Sequence, residues 1–137
     1  MNDIERVIEH KKKHMDSVVN CMSKIDSEEA NNVNTIKVVT NFNNDLIYMS
    51  RSPIPATKVG LSDNTYKQVC IYAFTKEQLE KFYKMKKTLL ELDEDIDILR
   101  FLEMGINVKM IETFGTTQAV DIPEDVDKVV GLINVSS

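Results

Sequence analysis

Apolar residues recur at two spacings along the chain, and the switches between them predict most of its elements. Ile4, Val7 and Ile8 fall on one face of a helix over about Asp3 to His14. Asn2 with Glu5 three positions on gives it a capping-box-like start. SVVNCM reads as a strand and Ser27 to Ala30 as a short helical turn. IKVVT, Ile36 to Thr40, is a β-branched strand; NFNND turns the chain and LIYMS returns it. Arg51 to Lys67 carries two prolines, a glycine and little periodicity, which predicts an irregular excursion. In QVCIYAF, Tyr72 and Phe74 share one face and Ile71 and Ala73 the other, as a buried strand requires.

The second half is predicted to be richer in helix. Thr75 with Gln78 forms a capping box, followed by Leu79, Phe82 and Tyr83 facing inward. Leu92, Ile96, Leu99 and Leu102 mark one further amphipathic helix, which Gly105 stops. NVKMIE is a strand and AVD a short one, and a last helix starts at Pro123 and buries Val126, Val129, Val130 and Ile133. Interleaved strands and helices over 137 residues, with no repeat or linker, predict a single α/β domain, residues 1–137. Its sheet is expected to be mixed, largely parallel and flanked by helices.

Charge and cysteine usage then exclude several classes. A net charge of -5 argues against general binding to a nucleic-acid backbone. The one basic run, HKKKH at His10 to His14, reads as a solvated helix end where cations suit the negative dipole terminus. No apolar run approaches the roughly 20 residues that span a bilayer, and MNDIERVIEH lacks the features of a secretory signal. Cys21 and Cys70 sit in apolar stretches without a C-x-x-C pair, so both are expected to be reduced, buried and cytoplasmic.

Local chemistry leaves the function open. Neither a G-x-G-x-x-G nor a Walker loop is present. His10 and His14, one helical turn apart, sit in a lysine-rich setting poorly suited to a metal. The five carboxylates of LLELDEDIDILR read mainly as a wet helix face. Asp121, between an apolar step and Pro123, is either a cap or turn residue or a ligand-site carboxylate.

Several stretches together resemble the 3-deoxy-manno-octulosonate cytidylyltransferase (CMP-Kdo synthetase) family: NTIKVV, IYMSRSPIP, KQVCIYAF, LLELDEDIDILRFLEMGINVKM and AVDIPEDVDKV. They stand in the family's order and cover essentially the whole chain; SRSPIP and VDIPEDVDKV are the most specific. The resemblance implies the C-terminal part of a nucleotide-diphospho-sugar transferase-like Rossmann-type fold, the sugar-binding portion, with the CTP-binding N-terminal half absent. It implies transfer of CMP from CTP to an acidic eight-carbon sugar for surface-glycan synthesis, a Mg2+ ion, and a homodimer. It also implies that the chain alone is incomplete and inactive, with a separate N-terminal half possible.

By position, Arg51 matches an arginine of the sugar site, where its fork would suit a carboxylate, with a surface salt bridge the alternative. Tyr72 matches a pocket tyrosine and Glu91 a glutamate that would accept from sugar hydroxyls; for Tyr72, simple core packing is the alternative. Asp121 matches the metal-binding aspartate, whose carboxylate suits a hard magnesium ion. Gln68 stands at a site position where the family often has histidine, and Asp97–Ile98 where it has a Glu–Gln pair. Ile122 replaces the usual threonine cap before the last helix. These departures make a related acidic sugar (sialic-acid-like or amino-substituted) the alternative substrate, and a non-catalytic interaction module the alternative role.

Overall fold

The computed structural model describes residues 2–58, 64–113 and 131–134, the last four as backbone only. The helices are α1 (Asp3–Lys13), α2 (Ser27–Ala30), α3 (Lys76–Lys84), α4 (Leu89–Glu94) and α5 (Ile98–Glu103). The strands are β1 (Val18–Lys24), β2 (Lys37–Thr40), β3 (Leu46–Ser50), β4 (Tyr66–Phe74), β5 (Val108–Glu112) and β6 (Gly131–Asn134). The sheet runs β3-β2-β4-β1-β5, and β6 pairs with β4. Because β2 meets β4 at Tyr66 and Lys67 and β6 meets it from Ile71 to Phe74, β2 and β6 share one edge of β4 while β1 fills the other.

The sheet is mixed, as expected, but mostly antiparallel rather than mostly parallel. Among the described residues only β1–β5 is a parallel pair. The reason is connectivity: NFNND closes a tight turn, with Asn44 in the left-handed region at φ 62°, and a turn that short can only return the chain antiparallel. β1 is followed across α2 and the β2–β3 hairpin by β4, which returns beside it.

Strand alternation sorts the core into two faces. Val7 of α1 packs with Val19, Cys21, Ile71, Ala73 and Ile111 on one side of the sheet. On the other, Val18, Met22, Tyr72, Phe74, Val108 and Met110 meet Ile96, Ile98, Leu99 and Phe101. Three layers result, each helix burying its apolar stripe on a half-apolar strand face.

The start signals read from the sequence operate. Asn2 Oδ1 accepts from Glu5 N at 2.8 Å, and Thr75 and Gln78 form the reciprocal capping box. Gly105 ends α5 at φ 80°, a conformation a side chain disfavours.

Four expectations change. The segment from Leu89 to Glu103 is two short helices, not one, because Asp95 turns left-handed at φ 57° and breaks the hydrogen-bond ladder. Leu92 consequently faces solvent, 58% exposed, and Tyr83 is 72% exposed instead of core. HKKKH is not wholly solvated: Lys11 is fully buried, donating to the carbonyls of Met15 (3.0 Å) and Ser17 and to Gln78 Oε1 (2.8 Å). Gly131–Asn134, expected to lie in the last helix, pairs with β4 as a strand, since half of that edge is otherwise open. The start of that helix at Pro123 and the AVD strand lie outside the described residues.

No helix among the described residues is long and apolar enough to cross a membrane. Cys21 is buried, with its thiol pushed up to about 12 mainly by burial, while Cys70 is half-buried rather than fully buried.

Candidate functional site

A defect in the sheet builds the site. Between Asn20 and Cys21 the partners on β4 jump from Tyr72 to Val69, a bulge that leaves carbonyls without ladder partners. Asn20, fully buried in the middle of an apolar strand, fills that gap by donating from Nδ2 to Val69 O and Ile71 O, both at 2.9 Å. Its Oδ1 accepts from Gln68 Nε2 at 2.9 Å, and the same Gln68 nitrogen donates to the Tyr72 hydroxyl at 3.0 Å. The bulge thus aims Gln68 and Tyr72 at each other and fixes the phenol. Burial holds the Tyr72 hydroxyl well above the ordinary tyrosine range, so it stays a neutral donor.

Tyr72 opens onto a cleft of about 180 Å³ lined by Phe74, Leu79, Phe82, Tyr83, Asp97, Ile98 and Phe101. The rings of Tyr72, Phe74, Phe101 and Phe82 stack in sequence, with centroid separations of 5.8, 5.5 and 5.0 Å. Such a floor offers an apolar face to a ligand, and the polar groups at its rim fix orientation.

Behind the cleft lies an ion pair. Arg100 donates from Nε to Glu91 Oε1 and from Nη2 to Glu91 Oε2, both at 2.7 Å, and Glu91 is 2% exposed. Its Nη1 donates to Phe82 O at 2.8 Å, and the guanidinium carbon lies 3.7 Å from the Phe82 ring centroid. Glu91 Oε1 also accepts from Thr88 N at 3.2 Å. Burial opposes ionisation of Glu91, but the Arg100 and Thr88 hydrogen bonds outweigh it and hold the carboxyl below the ordinary range. Asp97 shifts the other way: burial, then the charge of Glu91, raise it.

The site residues expected from sequence divide accordingly. Tyr72 and Asp97 line the cleft, Gln68 reaches it through the Tyr72 hydroxyl, and Glu91 reaches it through Asp97. Arg51 is not among the lining residues. Its guanidinium donates to the carbonyls of Val33 (3.1 Å), Asp95 (2.9 Å) and Glu94, and Glu94 Oε1 accepts from its backbone N at 3.0 Å. That arrangement caps the end of α4 and ties the strand β3 exit to it. Lys37, buried, donates at 2.6 Å to the carbonyls of Asn32, Thr35 and Arg51 and holds the same corner.

Asp121 lies outside the described residues. Among those described, no group of three or more His, Cys, Asp or Glu stands ready to hold a metal ion.

Sequence reasoning missed Asn20, Lys11 and Arg100. Each did leave a signal, a polar residue standing at an apolar position of its element, which marks a side chain that must find a partner inside.

This is an α/β domain with a polar-rimmed aromatic cleft between a bulged sheet and a pair of short helices. Residues 1–113 match the cytidylyltransferase family, and the chain belongs to it. A solved structure of CMP:2-keto-3-deoxy-manno-octonic acid synthetase complexed with CTP superposes with a TM-score of 0.79 at 30% identity, over 93% of this chain and 53% of that one. The 3-deoxy-manno-octulosonate cytidylyltransferase of Christiangramia forsetii is 38% identical over 110 residues, 80% of this chain and 44% of its own length. That of Escherichia coli is 34% identical over 109 residues, again 80% and 44%. The chain therefore spans less than half the length of these curated relatives.

Proposed function

We propose that this chain is the sugar-binding portion of a cytidylyltransferase that moves CMP from CTP to 3-deoxy-manno-octulosonate (Kdo), giving CMP-Kdo and pyrophosphate. The observation that carries the reading is the Tyr72–Gln68–Asp97 cleft, set in a fold shared with a CTP-bound CMP-Kdo synthetase. The ring of Tyr72 supports one face of the sugar. The Tyr72 hydroxyl and the Gln68 amide offer hydrogen bonds to it, and Asp97 completes the rim. Glu91 acts behind Asp97, and Arg51 keeps the β3–α4 corner in place beside the site.

Magnesium enters the proposal through Asp121, whose hard carboxylate oxygens suit it; bound there, the ion would offset phosphate charge. A cytoplasmic location and a homodimer complete the reading. Edge strand β3 exposes Ile47 (57%) and the adjoining turn exposes Phe42 entirely, an apolar surface suited to a second copy. Light scattering across a concentration series tests this, and a strict monomer at high concentration would remove the dimer.

The central experiment measures pyrophosphate release from CTP and Kdo. The chain alone should give none, having no glycine-rich phosphate loop in its sequence. Adding the N-terminal half of a relative should restore turnover. Turnover by the chain alone, or none with any supplied half, would refute the reading.

A second substrate reading has one observation in its favour: Ile98, an apolar side chain, lines the cleft. It loses any hydrogen bond a polar side chain would offer there, which favours a sugar with fewer or repositioned hydroxyls. A panel of ulosonic acids given to the complemented enzyme decides it, and a clear preference for Kdo would eliminate this alternative.

A further inference from the structure

We propose, on the sugar-site reading above, that Asn20 is a positioning residue that sets the hydrogen-bond polarity of the cleft. Through it, Gln68 and Tyr72 are set to receive a hydroxyl of the sugar and not its carboxylate.

The polarity starts from groups that have no choice. Backbone carbonyls only accept, so the bonds to Val69 O and Ile71 O, both at 2.9 Å, use both Nδ2 protons of Asn20. The way its amide faces is thereby fixed, and Asn20 is fully buried, out of reach of bulk water. Its Oδ1 is then an acceptor, and the atom 2.9 Å away, on Gln68, must be the donating Nε2. That fixes the second amide. The other Nε2 proton goes to the Tyr72 hydroxyl oxygen at 3.0 Å, so both donors of Gln68 are spent. A mere plug for the bulge would need only the Nδ2 protons of Asn20; the Oδ1 contact is what carries its orientation to the cleft.

What remains for a ligand is a defined pair of groups. Gln68 Oε1 has no donor among the described residues and is not sealed from solvent. Tyr72 has accepted from Gln68, so its own proton turns away from that amide, toward the Cys70 sulfur or into the cleft that it lines. Sulfur is a weak acceptor, and a sugar oxygen displaces it readily. An acceptor and a donor thus stand side by side. A sugar hydroxyl satisfies both, giving its proton to Gln68 Oε1 and accepting from Tyr72. A carboxylate carries acceptors only and would meet Gln68 Oε1 lone pair against lone pair, an unpaired contact that burial penalises.

The test uses the whole chain, labelled for NMR. The side-chain amide protons of Asn20 and Gln68 should exchange with solvent more slowly than those of the exposed Asn43. Kdo should shift the ring signals of Tyr72 and Phe74. Among analogues of Kdo that each lack one hydroxyl, one should bind about tenfold more weakly than Kdo, because Gln68 Oε1 and the Tyr72 proton lose their partner. Asn20→Leu keeps the size and removes every hydrogen bond. In it Kdo should lose about tenfold and that analogue nothing, so that the two bind equally. Damage to the fold alone would weaken both alike. Gln68→Met, at a half-buried position, should give the same equality and decides the matter if Asn20→Leu does not fold. Fast exchange of the two amides would overturn the fixed polarity. Equal binding of Kdo and every analogue by the wild type would overturn the hydroxyl assignment. A preference for Kdo that survives in both variants, or in Gln68→Met alone if the other does not fold, would overturn the positioning role. Protected amides with no shift at Tyr72 or Phe74 on adding Kdo would overturn the sugar site instead.

Discussion

Replacing Arg100 with methionine should cost this chain more stability than any other single change among its described charged residues. The substitution removes both charge-assisted hydrogen bonds to Glu91, the bond to Phe82 O and the cation over the Phe82 ring. Methionine fills much of the volume, so the cavity left is small and the electrostatic loss dominates. Glu91, 2% exposed, would be left as a buried charge without its counter-ion. Breaking one side of such a pair costs about 3–5 kcal/mol, against a total stability of about 5–15 kcal/mol for a domain. With a urea m-value of about 1.5 kcal/mol/M, the unfolding midpoint should fall by about 2–3 M. Glu91→Leu combined with Arg100→Met should recover much of that loss, because two apolar side chains carry no desolvation penalty. The pH dependence has a definite sign. Glu91 is depressed in the folded chain, so the pair's contribution is fully present above the ordinary value of 4.5 and disappears as pH falls through the lower folded value. Urea titrations of the wild type, the single and the double variant at pH 7 and pH 3 measure all of this. A loss below about 1 kcal/mol for Arg100→Met at pH 7 would refute the reasoning, since surface ion pairs already reach that figure.

Two further changes probe other parts of the fold. Lys11 is buried with only neutral acceptors, and burial lowers it from 10.5 to about 8. Between those values the unfolded chain binds more protons than the folded one, so stability relative to Lys11→Met should rise with pH, by at most about 3 kcal/mol from pH 7 to pH 11; a flat difference in urea midpoints would contradict the buried ammonium. At Asp95, held at φ 57°, glycine should match or exceed the wild-type melting temperature and valine should lose about 1–2 kcal/mol, whereas equal melting temperatures for the two would mean that the helix break is not left-handed in solution.

What the residues determined alone was local. The alternation of Ile71, Tyr72, Ala73 and Phe74 fixed which side chains face the cleft, because successive strand side chains must point to opposite faces. Asn2, Thr75 and Gly105 fixed helix boundaries through hydrogen bonds and dihedral preferences that span only a few residues. What only the tertiary structure decided was pairing across distance. The order β3-β2-β4-β1-β5, the bulge opposite Asn20, and the strand at Gly131–Asn134 depend on which edges meet, which no local spacing encodes. The same holds for the pairing of Glu91, which belongs to a carboxylate-rich stretch that reads mainly as a wet helix face, with Arg100, which stands at an apolar position of its helix. Asp95 breaks the helix between them and folds α5 back, so the two side chains meet in the interior behind the cleft. Desolvation is a property of what surrounds a group in space, and that is why the sequence could name Tyr72, Asp97 and Glu91 while the direction in which each is shifted depends on the packing around it.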